Sequence, residues 1–403
     1  MDALVAELPP SFDPEAPLPG PPDPWAGTSM PGVRSGPPYL MTESIAAEPA
    51  LAARIVERLG PGSSAEQLAR AIRVAARRGE KVIVTGCGTS EHAAMGVVEI
   101  LGDACRGAGL KDLSLATAQA FELSLDPPSS ALVVGISHEG ATAATNAALE
   151  RSREAGARTA LITVTDRSPG ASLAEIVVTT GELDLDWCHT IGYLSPLIAA
   201  AAVGSHLART PLDAAVVRER IAEGIAAATR MATEIAGAIA GAEHLVLVGS
   251  GVDRPAAREM ELKVEEASWL PSAYRDLETL LHGHLQAMDD RTAMVLILAE
   301  PRAREPRVHR ARQALAAAAV LGVRSAAILT TDAAAAIPMA LTPAGRIVIP
   351  ESTDLPAPVG ALLGTATPLQ LLTERIARAR GTNPDPIRRD DPRYAEASAA
   401  AES

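Results

Sequence analysis

Three strand-like segments recur in this 403-residue chain at one common spacing, and that recurrence limits the fold more than any other feature. The matching pairs are KVIVTGCG (81–88) with HLVLVGSG (244–251), ALVVGISHEG (131–140) with AMVLILAEP (293–301), and TALITVTD (159–166) with SAAILTTD (325–332). Each pair is offset by about 163 residues, and a shared offset across three segments indicates a duplicated structural unit.

Short apolar strands alternate with helical stretches in each unit. In the first unit, helices are expected at Ser90–Leu101 and Ala141–Ala155, between the strands, and a further strand at Ile176–Thr179. Such alternation predicts a parallel sheet with helices on both faces. The expected fold class is therefore α/β, with two tandem doubly wound parallel-sheet domains of flavodoxin-like layering, N-terminal helices and a C-terminal tail.

The domain boundaries follow from changes in composition along the chain. Residues 1–38 hold eleven of the 31 prolines and are expected to form a poorly ordered arm. Residues 39–210 and 211–380 would form the two domains, and residues 381–403 a tail. A glycine at 381 with a proline at 384 is a typical helix stop, which supports the last boundary.

Composition excludes several classes of function. The net charge of -13 and the 2% of aromatic residues argue against binding to DNA, RNA or an anionic membrane. The three cysteines, Cys87, Cys105 and Cys188, form no CxxC pair, which favours a reducing cytoplasm. The eight histidines are scattered, so neither a metal centre nor another cofactor is predicted.

The segment TGCGTSEH (85–92) joins a strand to a helix and is a candidate anion-binding loop. Gly86 and Gly88 permit a tight turn, while Thr89 and Ser90 place hydroxyl and amide groups at the helix N-terminus, where the dipole favours an anion. An ordinary capped strand–helix turn would look the same, so the loop alone leaves both interpretations open.

The segment SHEGATAAT (137–145) is a second candidate loop, with hydroxyls at Ser137, Thr142 and Thr145 that could donate to a phosphate. Glu139 would repel a phosphate unless it faces away or pairs with a cation, and His138 could supply that cation. A solvated polar turn remains the alternative.

A third segment, Glu259–His284, holds the residues best suited to catalysis. Lys263 and Glu266 lie one helical turn apart, and His282 follows in an HG turn. A carboxylate that moves a proton and a histidine that opens a sugar ring are tools of aldose–ketose chemistry. The same pattern would arise if these residues lay on an exposed helix surface, where Lys263 would be an ordinary ion-pair partner of Glu266.

Taken in this order, the loops resemble the sugar-isomerase (SIS) domain family over residues 39 to 389. The resemblance is greatest to the isomerase part of glucosamine-6-phosphate synthase and to related amino-sugar-phosphate deaminases and isomerases. The CGTS loop of that synthase matches Cys87-Gly88-Thr89-Ser90, and its SQSGET loop matches 137–142. The family's phosphate-binding positions fall on Ser90, Ser137, His138, Glu139 and Thr142, where His138 and Glu139 depart from the family pattern.

The resemblance also implies roles for the third segment. The family's KLKE and KHGP motifs match 263–266 and 281–284. By resemblance, Glu266 shuttles a proton between C1 and C2, His282 opens the ring, and Lys263 steadies a developing enolate or alcoholate. The family often takes this histidine from the neighbouring subunit, which implies a homodimer with shared active sites.

Two departures narrow the implied reaction. We expect no glutaminase domain before the tandem, and the tail at 381–397 has no lysine to form an imine, since Pro392 stands at about that place. We therefore expect a cytoplasmic enzyme without a cofactor that deaminates or isomerises a small amino-sugar phosphate.

Four other interpretations stay open at this stage. The chain could be a plain aldose–ketose isomerase, a glutamine-independent enzyme resembling an aminotransferase, or a non-catalytic sensor of a carbohydrate derivative. Glu139 also allows a pocket for a neutral or cationic sugar derivative in place of a phosphate.

Overall fold

The computed structural model describes residues 2–402 and contains two five-stranded parallel sheets, each flanked by helices. The strands are β1 (Lys81–Gly86), β2 (Leu115–Gln119), β3 (Ala131–Ile136), β4 (Arg158–Thr163), β5 (Ile176–Thr179), β6 (His244–Val248), β7 (Ser272–Arg275), β8 (Thr292–Leu298), β9 (Arg324–Thr330) and β10 (Gly345–Ile349). The helices are α1 (Asp2–Val5), α2 (Leu40–Arg58), α3 (Ser64–Arg78), α4 (Thr89–Gly107), α5 (Ala120–Leu125), α6 (Ala143–Glu154), α7 (Thr190–Ala208), α8 (Ala214–Ile239), α9 (Arg254–Ser268), α10 (Leu277–Leu281), α11 (Arg304–Val320), α12 (Thr331–Ala336), α13 (Ala357–Arg380) and α14 (Pro392–Glu402).

The two sheets share one topology, which confirms the predicted duplication. The first has the order β2-β1-β3-β4-β5 and the second has the order β7-β6-β8-β9-β10. In both sheets the first strand lies beside the third, while the second strand forms one edge. The chain therefore reverses its direction of winding at the first strand, and a crevice opens there at the carboxyl ends of the strands.

Three of the four edge strands were not revealed by the sequence pattern, whereas the fourth, β5, was predicted at Ile176–Thr179. β2, β7 and β10 each pair with a single neighbour. The residues of β2 and β7 are half-buried or exposed, so these strands lack the continuous apolar run that marks the buried strands β3 and β8.

The long helices form the core between the sheets. α13 packs on α8 and α9, and α7 packs on α4, α3 and α2. Among the described residues, α7 is the one helix that by length and composition could cross a membrane, but 83% of its most apolar stretch is buried inside the protein. Its apolar character fits a core helix, which needs apolar residues on all sides.

The proline-rich segment 2–38, expected to be a poorly ordered arm, packs against both domains in this structure. Leu4, Leu8 and Leu18 are buried, and the Leu18 backbone N–H donates to Glu182 Oε2 at 2.9 Å. Prolines hold a segment extended without internal hydrogen bonds, so ordering it costs less entropy and leaves its backbone groups to bond elsewhere. The difference from a free arm therefore arises from three spaced leucines that the proline content concealed.

Asp253 precedes α9 and should make the stability of the fold depend on pH. Burial raises the pKa of its carboxyl group from 3.8 to about 7, although the backbone N–H groups of Ala299 and Glu300 donate to it. Between pH 4 and pH 7 the folded chain keeps a proton that the unfolded chain has lost, so the contribution of Asp253 to the free energy of unfolding falls as pH rises through this window. In Asp253→Asn this contribution to the pH dependence of the free energy of unfolding should vanish.

Urea unfolding of wild type and Asp253→Asn at pH 5 and pH 8 measures this effect. We expect the variant to gain stability relative to wild type on going from pH 5 to pH 8. An unchanged difference between the two proteins at the two pH values would show that Asp253 is ionised in the folded state.

Candidate active site

The two candidate loops lie side by side at the winding reversal of the first sheet. The first loop follows β1, the second follows β3, and these strands pair in parallel from Lys81 with Ala131 to Thr85 with Gly135. Ligands of open α/β sheets bind at the carboxyl ends of the strands at such a point. The topology thus places both loops at the mouth of one crevice.

The first loop, Cys87-Gly88-Thr89-Ser90, turns sharply from β1 into α4. Gly88 has a φ of +54°, a backbone conformation that glycine adopts at little cost. Ser90 is half-buried in the first turn of α4, where backbone N–H groups favour an anion. Cys87 Sγ lies 3.8 Å from Oγ1 of Thr145, which is the last residue of the second segment (137–145) and lies in the first turn of α6, so the two segments contact each other directly.

The second loop forms a tight turn around its glycine. The Ser137 hydroxyl lies 3.3 Å from the Thr142 hydroxyl, within hydrogen-bonding distance. Gly140 has a φ of +72°, and a Cβ at this position would lie 2.0 Å from Ser168 Oγ. No other residue fits there without moving the neighbouring chain, so the turn brings both hydroxyls to the same side of the crevice.

The two residues that depart from the family pattern point to other partners. His138 Nε2 lies 3.2 Å from Asp184 Oδ2, and the side chain is almost fully buried. Glu139 accepts hydrogen bonds from the backbone N–H and the hydroxyl of Thr28, which belongs to the N-terminal segment. The Glu139 carboxylate is therefore paired within the chain.

Lys263 joins the two domains at this crevice. It lies on α9 of the second domain with a fully buried side chain, and its Nζ donates to Thr89 Oγ1 of the first loop and to Glu266 Oε2, both at 2.7 Å. Burial alone would lower the pKa of Lys263, but the carboxylates of Glu259 and Glu266 raise it well above its ordinary value. A permanently charged ammonium group thus holds Glu266, whose side chain is 23% exposed, beside the CGTS loop.

Three residues that the sequence pattern did not single out complete this cluster. Glu259 is buried, 2.8 Å from His92 Nδ1 and 3.4 Å from Lys263 Nζ. Cys188 Sγ donates to Glu266 Oε2 at 3.9 Å, and burial raises the pKa of its thiol well above the usual range. The spacing of Glu259 four residues before Lys263 could have revealed it. His92 and Cys188 gave no such signal.

His282 stands apart from this cluster within the chain. It follows α10, its side chain is 68% exposed, and its Nδ1 bonds the backbone oxygen of Glu278 at 2.9 Å. Among residues 2–402, the polar contacts of the His282 side chain are with Glu278. The fold of one chain therefore brings Lys263 and Glu266 to the loops but leaves His282 on the surface.

The crevice combines two chemical abilities. The hydroxyls of Ser90, Ser137 and Thr142, with the N-terminus of α4, can bind an anion. A partly exposed carboxylate held at one end by an ammonium group can take a proton from a bound molecule and return it. The assignment of these residues to a catalytic site remains a prediction.

Comparison with known proteins supports the fold. No family model matches the chain. The glutamine–fructose-6-phosphate aminotransferase (isomerizing) of Gloeobacter violaceus is 26% identical over 329 residues, which are 76% of this chain and 50% of that protein. The chain thus spans about half the length of this curated relative.

Solved structures agree with the sequence match. The C-terminal domain of glucosamine–fructose-6-phosphate aminotransferase from Francisella tularensis superposes with a TM-score of 0.72 at 18% identity and covers 88% of this chain and 100% of that chain. The chain has the tandem sugar-isomerase fold. The resemblance to the isomerase part of glucosamine-6-phosphate synthase is thereby confirmed.

Two other proteins with the tandem sugar-isomerase fold carry different names. The tagatose-6-phosphate ketose/aldose isomerase of Escherichia coli has a TM-score of 0.66 at 18% identity, covering 89% of this chain and 98% of that chain. The glucosamine-6-phosphate deaminase of Thermotoga maritima has a TM-score of 0.55 at 15% identity, covering 83% and 96%. At these identities the comparison establishes the fold and leaves the reaction to be argued from the site.

Proposed function

We propose that this chain is a sugar-phosphate isomerase of the amino-sugar type, which deaminates a hexosamine phosphate by ring opening and proton transfer between C1 and C2. One observation carries the proposal: the Glu266 carboxylate is held by buried Lys263 next to Thr89 of the candidate phosphate loop. A proton-transfer group and an anion site then face one ligand. The names of the similar proteins, an isomerizing aminotransferase, a ketose/aldose isomerase and a deaminase, support this class.

The proposed steps need no residue outside the crevice except a group that opens the ring. Glu266 takes the proton from C2 of the open-chain 2-amino aldehyde, and the electron pair forms a C1–C2 enolate. Its O1 takes a proton from water, and the amino nitrogen gives one up to water as C1 is protonated. Return of the proton to C1 gives a ketose that carries an imine at C2. Water then adds to the imine carbon, and ammonia leaves. Lys263 donates to Glu266 throughout, so its part is to orient that carboxylate.

We further propose that the ring-opening group is His282 of a second copy of the chain in a homodimer. His282 is exposed and bonded only to its own helix in residues 2–402, so nothing in one chain aims it at Glu266. A two-fold symmetric dimer would create two equivalent sites, each with Glu266 from one subunit and His282 from the other.

Mixing two inactive variants tests the shared site. Glu266→Gln and His282→Asn should each be inactive as purified proteins. After unfolding and refolding together, random pairing would restore about a quarter of the wild-type activity, because half of the dimers would hold one intact site. No recovery in a mixture that is shown to exchange subunits would mean that both residues act within one chain.

A plain aldose–ketose isomerase is the second candidate, because Glu266 serves both reactions equally. A panel of hexosamine 6-phosphates and hexose 6-phosphates, with ammonia and ketose measured separately, distinguishes the two. Ammonia release would support the deaminase, and ketose formation without ammonia would support the isomerase. Silence across the panel, together with thermal stabilisation by a sugar phosphate, would favour a sensor.

The Glu139 carboxylate raises the question of whether the ligand carries a phosphate. Thr28 donates two hydrogen bonds to Glu139, and we propose that they hold its charged carboxylate away from an anion bound by Ser90, Ser137 and Thr142. Inorganic phosphate should then compete with the substrate. Absence of competition would instead favour a neutral or cationic sugar derivative.

A further inference from the structure

Two imidazoles and one carboxylate converge beside the second loop, although they are separated in sequence. The ligand atoms of His138, Asp184 and His189 all lie within 4.8 Å of one another. His138 Nε2 is 3.2 Å and His189 Nδ1 is 3.5 Å from Asp184 Oδ2. Ligand atoms bound at ~2.0–2.2 Å to a tetrahedral ion lie about 3.3–3.6 Å apart, so the two separations from Asp184 suit an ion bound between these residues.

One nitrogen of each imidazole ring faces the Asp184 carboxylate. The Asp184 backbone N–H donates to His138 Nε2 at 3.3 Å, a long hydrogen bond that a metal ion bound to this nitrogen would replace. His189 Nδ1 is buried and makes no hydrogen bond of good geometry among the described residues. A metal ion would give His189 Nδ1 the partner that it lacks among the described residues.

The carboxylate is fixed in place by the helix that follows it. Asp184 Oδ1 and Oδ2 accept the backbone N–H groups of Ile191 and Gly192 at 2.8 and 2.9 Å, at the N-terminus of α7. Such outer hydrogen bonds hold a metal ligand in its binding orientation. His189, just before α7, has a φ of +48°, and this left-handed backbone turns its ring back onto Asp184.

A small cavity lies at the same place. Its volume is ≈ 30 Å³, and it is lined by the three residues together with Thr28, Glu139 and others. Roughly 10–15 Å³ suffices for one water molecule on this measure, so an ion and one bound water would fit. The cavity adjoins the loop that carries Ser137, and a cation there would offset the negative charge of Glu139.

We propose that His138, Asp184 and His189 bind one divalent transition-metal ion of the zinc class, with the fourth position left for water or an oxygen of the ligand. Two imidazoles and a carboxylate suit zinc, cobalt or nickel better than the oxygen-seeking magnesium or calcium. The site does not rest on the proposed deamination, since metal binding is measured without any substrate.

Metal content and cobalt binding test the site directly. The full-length protein is stripped with a chelator, dialysed against Zn²⁺ or Co²⁺, and analysed for bound metal per chain. We expect about one equivalent in the wild type and visible absorption of tetrahedral cobalt. In His138→Gln and His189→Asn, affinity should fall by more than about 100-fold, since loss of a ligand costs more than loss of a supporting hydrogen bond.

Each variant has a structural reason to fold. Glutamine stands at the position of His138 in the similar SQSGET loop, and asparagine tolerates the left-handed backbone of His189. His309→Gln removes an exposed histidine on α11 as the matched control and should bind like the wild type. Equal metal binding by all four proteins would mean surface binding only, and absence of binding by wild type would also overturn the proposal.

Discussion

Glu266→Gln should lower kcat by about 10²–10⁴-fold on any sugar phosphate that the wild type converts, with little change in ligand binding. Glutamine keeps an oxygen that can accept the hydrogen bond from Lys263 Nζ, so the geometry at α9 should persist. What the variant loses is the ability to take and return a proton. Steady-state kinetics with the best substrate of the panel, together with thermal stabilisation by that substrate, measures the two effects separately.

Glu265→Gln is the matched control on the same helix. Glu265 is exposed, and its Oε1 accepts the Ser272 backbone N–H, a bond that glutamine can also accept. The change in charge equals that of Glu266→Gln, so kcat should stay within a factor of about two if net charge alone has no effect. Full activity in Glu266→Gln would exclude this carboxylate as the proton shuttle and with it the proposed mechanism.

The sequence was sufficient to predict the buried strands of the fold and the part of the site that contains Lys263 and Glu266. Buried strands such as β1, β3 and β8 have apolar runs that end in glycine or polar loops, and their common offset revealed the tandem arrangement. The order of the motifs then placed Lys263 and Glu266 near the CGTS loop by resemblance. These features could be predicted because each depends on residues that are close together in the sequence.

Contacts between distant segments could not be predicted in this way. The hydrogen bond from Lys263 to Thr89 joins residues 174 positions apart, and nothing local in either segment requires it. The same holds for the bond of Thr28 to Glu139, in which a segment expected to be disordered pairs the carboxylate that seemed to oppose phosphate. Both contacts depend on how distant segments pack in the core, through the buried leucines of the N-terminal segment and through α7.

Replacement of the buried Lys263 should cause the largest loss of stability. Lys263→Met preserves the length of the side chain but leaves Glu259 and Glu266 without their cation. Burial alone would raise the pKa of Glu259, and Lys263 with His92 now holds it below its usual value. Breaking a buried ion pair from one side typically costs about 3–5 kcal/mol, so the free energy of unfolding should fall by that amount at neutral pH.

Two companion variants separate the lost ion pair from other causes. Lys81→Met removes an exposed lysine of β1 and should change the free energy of unfolding by less than about 0.5 kcal/mol. The double variant Lys263→Met/Glu259→Gln neutralises the stranded carboxylate and should regain more than about 1 kcal/mol over Lys263→Met alone in urea unfolding. If the double variant is no more stable than the single one, the cost lies in the lost bonds to Thr89 and Glu266, and the buried charge of Glu259 is not what Lys263 compensates.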